Sequence, residues 1–158
     1  MRKRLILTVC MLCLFLVAAV LVLRAPFATF GIGATVDFYP KTLNLKSRGT
    51  WITAYIELPE PYDVSDINVT TVFLDGAIPA ESKPWAIGDY DNDGISDELM
   101  VKFDRYTVTE HIWAKLYHMG IEPSSFPKEG VEVGLTITGL LNTETFEGSD
   151  TIRVIYQG

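Results

Sequence analysis

Cysteine is nearly absent from this 158-residue chain: both copies, Cys10 and Cys13, fall in the first thirteen residues. Everything after residue 13 must therefore fold without a disulfide, unusual for a small extracellular domain. Histidine is equally scarce. His111 and His118 are seven apart, whereas a zinc pair sits at i and i+4 with a third ligand nearby, and Glu110-His111 makes no H-E-x-x-H motif. The chain also lacks a G-x-S-x-G elbow, a glycine-rich phosphate loop and any recognisable setting for a Ser, Cys or Lys nucleophile. Two carboxylates alone could serve a glycosidase, but no pair is singled out and a domain this small leaves little room for a cleft. The expectation is a protein that is not an enzyme.

Positive charge is sparse too. All 20 acidic residues lie from Asp37 onward, with only 9 basic ones, so the part after the N-terminus carries about −11. A surface this negative excludes nucleic acid and anionic lipid headgroups as partners and favours cations or basic surfaces.

There is one long hydrophobic run. After Met1-Arg2-Lys3-Arg4, residues 5–23 carry no charge until Arg24. A segment of this kind is a signal peptide or a membrane anchor, not part of the fold, and it is expected to form an N-terminal hydrophobic helix. The basic end predicts that terminus inside and the rest outside. Two fates fit: an uncleaved anchor through residues 5–23, or cleavage near Ala28 or Ala34. Leu7-Thr8-Val9 before Cys10 is a poor context for lipidation. Residues 25–34 read as a linker and 35–158 as one exported domain at the extracellular face of the membrane or secreted.

Within that domain, short β-prone runs alternate with Gly, Pro and Asp clusters, the pattern of an antiparallel sandwich or barrel. Runs at 35–39, 42–46, 51–58, 69–74, 131–137 and 151–156 are expected strands, with Glu144 to Phe146 as an added edge. The clearest is 51–58, with Ile52, Ala54, Ile56 and Leu58 at period two before Pro59. One segment departs from this. Val108, Ile112, Leu116 and Met119 recur on one helical face, Thr107 and Glu110 have capping-box spacing and Gly120 follows, predicting a helix over 108–119.

What the chain has in place of cysteines is an acidic loop, Asp89-Tyr90-Asp91-Asn92-Asp93-Gly94-Ile95-Ser96-Asp97. Carboxylates at positions 1, 3, 5 and 9 around a glycine have the spacing of a calcium loop, in which alternate residues turn oxygens toward one centre. Asp89, Asp91 and Asp93 would give side-chain oxygens, Ile95 its carbonyl, and Asp97 a carboxylate directly or through water. Position 12 is Met100 where an EF-hand needs glutamate, and β-prone runs flank the loop, so the expected setting is strand-loop-strand. A further ligand must come from elsewhere, Glu98 and Asp104 being nearest. A cation here would also substitute for the missing disulfides.

Trp51, Trp85 and Trp113 are expected in the core, Trp85 being the one placed beside the loop where it could stack on a sugar. Asn68-Val69-Thr70 is an N-glycosylation sequon, which makes Asn68 a candidate acceptor.

Taken together, residues 43–49, 62–67, 87–94, 99–103 and 146–154 resemble a module of secreted archaeal and bacterial proteins. The loop is locally similar to those of FG-GAP repeats and, less closely, dockerins. A single loop excludes a propeller, and the missing second loop and paired helices disfavour a dockerin. The resemblance implies an immunoglobulin-like β-sandwich with a structural calcium site and no catalytic activity. The corresponding function is a structural or adhesive cell-envelope module, with a carbohydrate- or protein-binding module, or an accessory domain of an extracellular enzyme, as the alternative. Residues 106–128 are longer than the module leads one to expect.

Overall fold

A computed structural model describes residues 31–158, so the hydrophobic run 5–23, both cysteines and linker residues 25–30 lie outside the described residues. Among the described residues no helix is long and apolar enough to cross a membrane. The described residues form two sheets and one α-helix, in a mainly β, sandwich-like arrangement.

The first sheet is built on one long hairpin. Strands β9 (Val131–Leu141) and β10 (Glu144–Ile155) pair antiparallel over their whole length. Two short strands, β1 (Ile32–Gly33) and β3 (Thr42–Asn44), run parallel to β10 along its other side. Ile32 and Gly33, expected in the linker, are therefore part of the fold. On the far side β9 is followed by β5 (Phe73–Leu74) and β6 (Ile78–Pro79). The second sheet has the order β2 (Thr35–Tyr39), β4 (Trp51–Glu57), β8 (Glu98–Asp104), β7 (Ala86–Gly88), all antiparallel. The chain thus leaves β10 after β1, contributes β2 to the opposite sheet and returns as β3.

Side-chain alternation decides which face is buried. Val36 and Phe38 of β2, Ile52, Ala54 and Ile56 of β4, and Leu99, Val101 and Phe103 of β8 point inward. They meet Val133, Leu135 and Ile137 of β9 and Phe146, Ile152 and Val154 of β10 in one core. Gly148 makes the β1–β2 crossing feasible: a Cβ there would collide with the Ala34 carbonyl, whose own amide donates to Glu147 O at 2.8 Å.

The structure redraws two expected strands. Glu144 to Phe146 is not a separate edge strand, since it begins β10, and from Phe146 onward β10 is flanked by β9 and β1. Only Phe73–Leu74 of the expected 69–74 strand is extended. Asn68 Oδ1 accepts from Thr70 N at 3.2 Å and caps a 3-10 turn over Val69–Thr71, a local alternative that competes with the ladder.

The helix, α1, spans Arg105–His118 and starts three residues earlier than expected. Its cap is Asp104, whose Oδ1 takes the Thr107 amide at 2.8 Å and hydroxyl at 2.7 Å, so Thr107 is capped rather than capping. At the other end Gly120, at φ 76°, closes a Schellman motif with Ile121 N to Leu116 O at 2.9 Å and Gly120 N to Tyr117 O at 3.0 Å. Val108, Ile112 and Leu116 join the core, whereas Met119 is exposed because it sits at the C-cap after the helical face has ended.

None of the three tryptophans reaches the fully buried core. Trp51 and Trp113 are half-buried and Trp85 is exposed. Trp113 packs edge-on to Tyr156 (5.2 Å between centroids) and Phe126 (6.0 Å), which pins the segment after α1 to the C-terminus.

Candidate metal centre

Strands β7 and β8 form the hairpin that holds the acidic loop, with Gly88 opposite Glu98. The nine residues between them curl back through two backbone positions at positive φ, Asn92 at 67° and Gly94 at 94°. Glycine meets that requirement without cost, and asparagine tolerates it better than most side chains. Carboxylates then fasten the curl. Asp89 Oδ2 accepts from Gly94 N at 3.0 Å, Asp91 Oδ1 from Asp93 N at 3.0 Å and Asp93 Oδ1 from Ile95 N at 2.7 Å.

Glu98, at the first position of β8, completes the centre. It is 5% exposed, the one charged residue in the buried class among those described. Its two oxygens accept from Tyr90 N at 2.9 Å and Asp91 N at 2.8 Å, so it stitches the foot of the loop to β8. One oxygen each from Asp89, Asp91 and Glu98 lies within 4.8 Å of the others, a separation at which one cation can be held by all three. Asp89 Oδ1 is buried and has no hydrogen-bond partner among the described residues. A buried carboxylate oxygen left unpaired costs more than the loss of an ordinary hydrogen bond.

Of the residues expected as ligands, the structure brings together Asp89 and Asp91. Asp93 and Asp97 lie in the same loop but outside this cluster. Ile95 has an exposed side chain, and its amide is bonded to Asp93. Glu98 enters where spacing gave it little weight: position 10 carries no regular ligand, and only the pairing of β8 with β7 turns it inward. Asp104 is occupied with capping α1.

The acidic field extends beyond the loop. Glu57 of β4 lies directly opposite Glu98, and like charges facing one another across strands are unfavourable. Burial, followed by the charges of Asp97, Asp91, Glu98 and Asp93, pushes the Glu57 carboxyl above its ordinary range. Beside it Tyr90 folds over Gly88 and stacks on Tyr55, ring centroids 4.7 Å apart. A Cβ on Gly88 would come within 3.1 Å of the Tyr90 ring, so the glycine makes room for this stack.

The other candidates fall elsewhere. His111 Nε2 meets Asp75 Oδ2 at 2.8 Å and His118 is exposed, so the histidines do not converge. Asn68 is exposed. Comparison with known proteins returned no matching family model, curated protein or solved structure.

Proposed function

We propose that this protein is a non-catalytic, exported module of the cell envelope, immunoglobulin-like in its sandwich, stabilised by calcium and serving a structural or adhesive role. The observation that carries the reading is the buried, unpartnered Asp89 Oδ1 beside Asp91 and Glu98. Three carboxylates on one centre supply hard oxygen ligands only, and the spacing of the acidic loop around Gly94 is that of calcium sites. The leader, residues 5–23, would hold the module at the outer face of the membrane or direct its secretion. Exposed Asn68 is the acceptor if the host glycosylates it, which intact mass before and after glycosidase treatment decides.

The test is thermal unfolding of the full chain in mild detergent, with calcium, with magnesium and with chelator. A ligand at a hundredfold excess over its Kd adds about 2.7 kcal/mol to the folded state. For a domain of this size that is a rise of several degrees in Tm. Coincident curves in all three conditions would remove the calcium claim. A second reading, a protein-binding module, is favoured by the groove that Tyr39, Tyr55, Tyr90 and Asp91 line beside the loop.

A further inference from the structure

Residues at alternate positions of β2 and β4 face away from the core and, with the foot of the acidic loop, enclose a groove of about 340 Å³. Its aromatic surface comes from Tyr39, 65% exposed, together with the stacked pair Tyr55 and Tyr90. Its polar surface comes from Thr35, Asp37, Glu57, Asp91 and the buried Glu98. Asp37 is already paired with Lys41, but Glu57 and Asp91 have no salt bridge among the described residues. Tyrosine faces and unpaired carboxylates in one concavity make a complementary environment for an organic cation: the carboxylates neutralise it and the ring faces attract it. A neutral glycan would stack on the rings and donate hydroxyls to the carboxylates, yet leave their charge unneutralised. The tryptophans that would favour a sugar lie outside the lining.

We propose that this groove binds a lysine or arginine side chain of a basic protein partner. The volume is near the lower end for ligand pockets, enough for one long side chain and its backbone. The net charge of about −11 beyond the N-terminal segment would steer a polybasic surface toward it and repel an acidic one. Asp91 and Glu98 of the metal cluster also line the groove, so it adjoins the proposed calcium site and its binding is read both in calcium and in chelator.

The experiment is isothermal titration of the full chain in detergent with hexa-arginine, hexaglutamate and cellohexaose, using wild type, Tyr39→Ala, Glu57→Gln and a charge-matched control, Glu144→Gln, on the other sheet. Hexa-arginine should bind in at least one of the two conditions, and Tyr39→Ala and Glu57→Gln should each weaken it about tenfold while the control leaves it nearly unchanged. Tyr39 is largely exposed, so its removal leaves the fold intact. Equal losses in the control and in Glu57→Gln would reduce the effect to unspecific charge and overturn the proposal. So would absence of hexa-arginine binding in both conditions, or binding of cellohexaose abolished by Tyr39→Ala. A chain that shows no calcium-dependent stabilisation but binds hexa-arginine as described would leave this inference standing and remove only the metal.

Discussion

Two carboxylate centres in this domain solve the same problem in opposite ways. Asp75 sits at a tight turn between β5 and β6, at φ 49° and followed by Gly76 at 65°, so both central residues of the turn closed by Ala77 N to Leu74 O at 3.0 Å have positive φ. Its Oδ1 accepts from Thr136 N at 2.8 Å, and its Oδ2 meets Lys115 Nζ at 2.6 Å and His111 Nε2 at 2.8 Å. One side chain thereby ties the β5–β6 turn, β9 and α1 together, and the chain itself supplies the compensating cation. At the loop after β7, Asp89, Asp91 and Glu98 converge with no lysine or arginine in salt-bridge range among the described residues. A carboxylate with an internal cation is a structural joint, whereas a cluster without one could hold an external cation.

The largest effect expected is at the joint. Asp75→Ala leaves Lys115 with only the Gly134 carbonyl, strands His111 and the Thr136 amide and places alanine in a left-handed conformation, which should cost roughly 3–4 kcal/mol. Denaturant unfolding should show that loss equally with calcium and with chelator. A loss that appeared only with calcium would erase the distinction between the centres.

At the loop the sign should reverse. Calcium should add about 2.7 kcal/mol at a hundredfold excess over Kd, and Asp89→Asn should abolish that increment. In chelator the same substitution relieves repulsion from Asp91 and Glu98 and should leave the Tm unchanged or higher. Glu98→Gln behaves differently because it replaces one of two acceptors with a donor facing a backbone amide, at a cost of about 1–2 kcal/mol even without metal. Asp89→Asn lowering stability in chelator would show that the loop is self-sufficient.

Acid should sharpen the contrast further. Burial alone would raise the Asp75 carboxyl, but hydrogen bonds from Lys115, Thr136 and His111 outweigh it and hold it below the usual range. The folded state therefore binds fewer protons there than the unfolded chain, and the stabilisation is complete above the unfolded carboxyl range and lost as pH falls through the depressed folded value. The slope of unfolding free energy against pH in that acid window should flatten in Asp75→Asn.

Legibility in the sequence followed the range of the forces involved. Period-two alternation identified the buried faces of β2 and β4, the glycine after the helix identified its Schellman end, and the carboxylate spacing located the loop on a hairpin, because each is set by neighbours within a few residues. Longer pairing was less visible. That 144–146 starts a central strand depends on Gly148 admitting the β1–β2 crossing, a partner more than a hundred residues away. Glu98 as the third member of the cluster and Glu57 facing it both depend on sheet register. The bonds of Asp75 to α1 and β9 span 36 to 61 residues, beyond the reach of any local pattern.

Between these extremes stands Lys41, and it should give the smallest effect. Its ammonium bridges Asp37 and Asp150, meeting Asp150 Oδ2 at 2.8 Å, but the Lys41 side chain is 57% exposed. Exposed pairs are worth about 0–1 kcal/mol and are screened by salt. Asp150 keeps two donors of its own, the amides of Phe38 at 2.9 Å and Thr151 at 2.7 Å, so removing the lysine strands nothing buried. Lys41→Met should therefore lower stability by less than about 1 kcal/mol, and the difference from wild type should shrink further in molar salt. If the loss instead matched that of Asp75→Ala and ignored salt, an internal cation would matter as much at the surface as in the joint. Burial would then not be what separates the carboxylates this chain compensates itself from those it leaves to a metal.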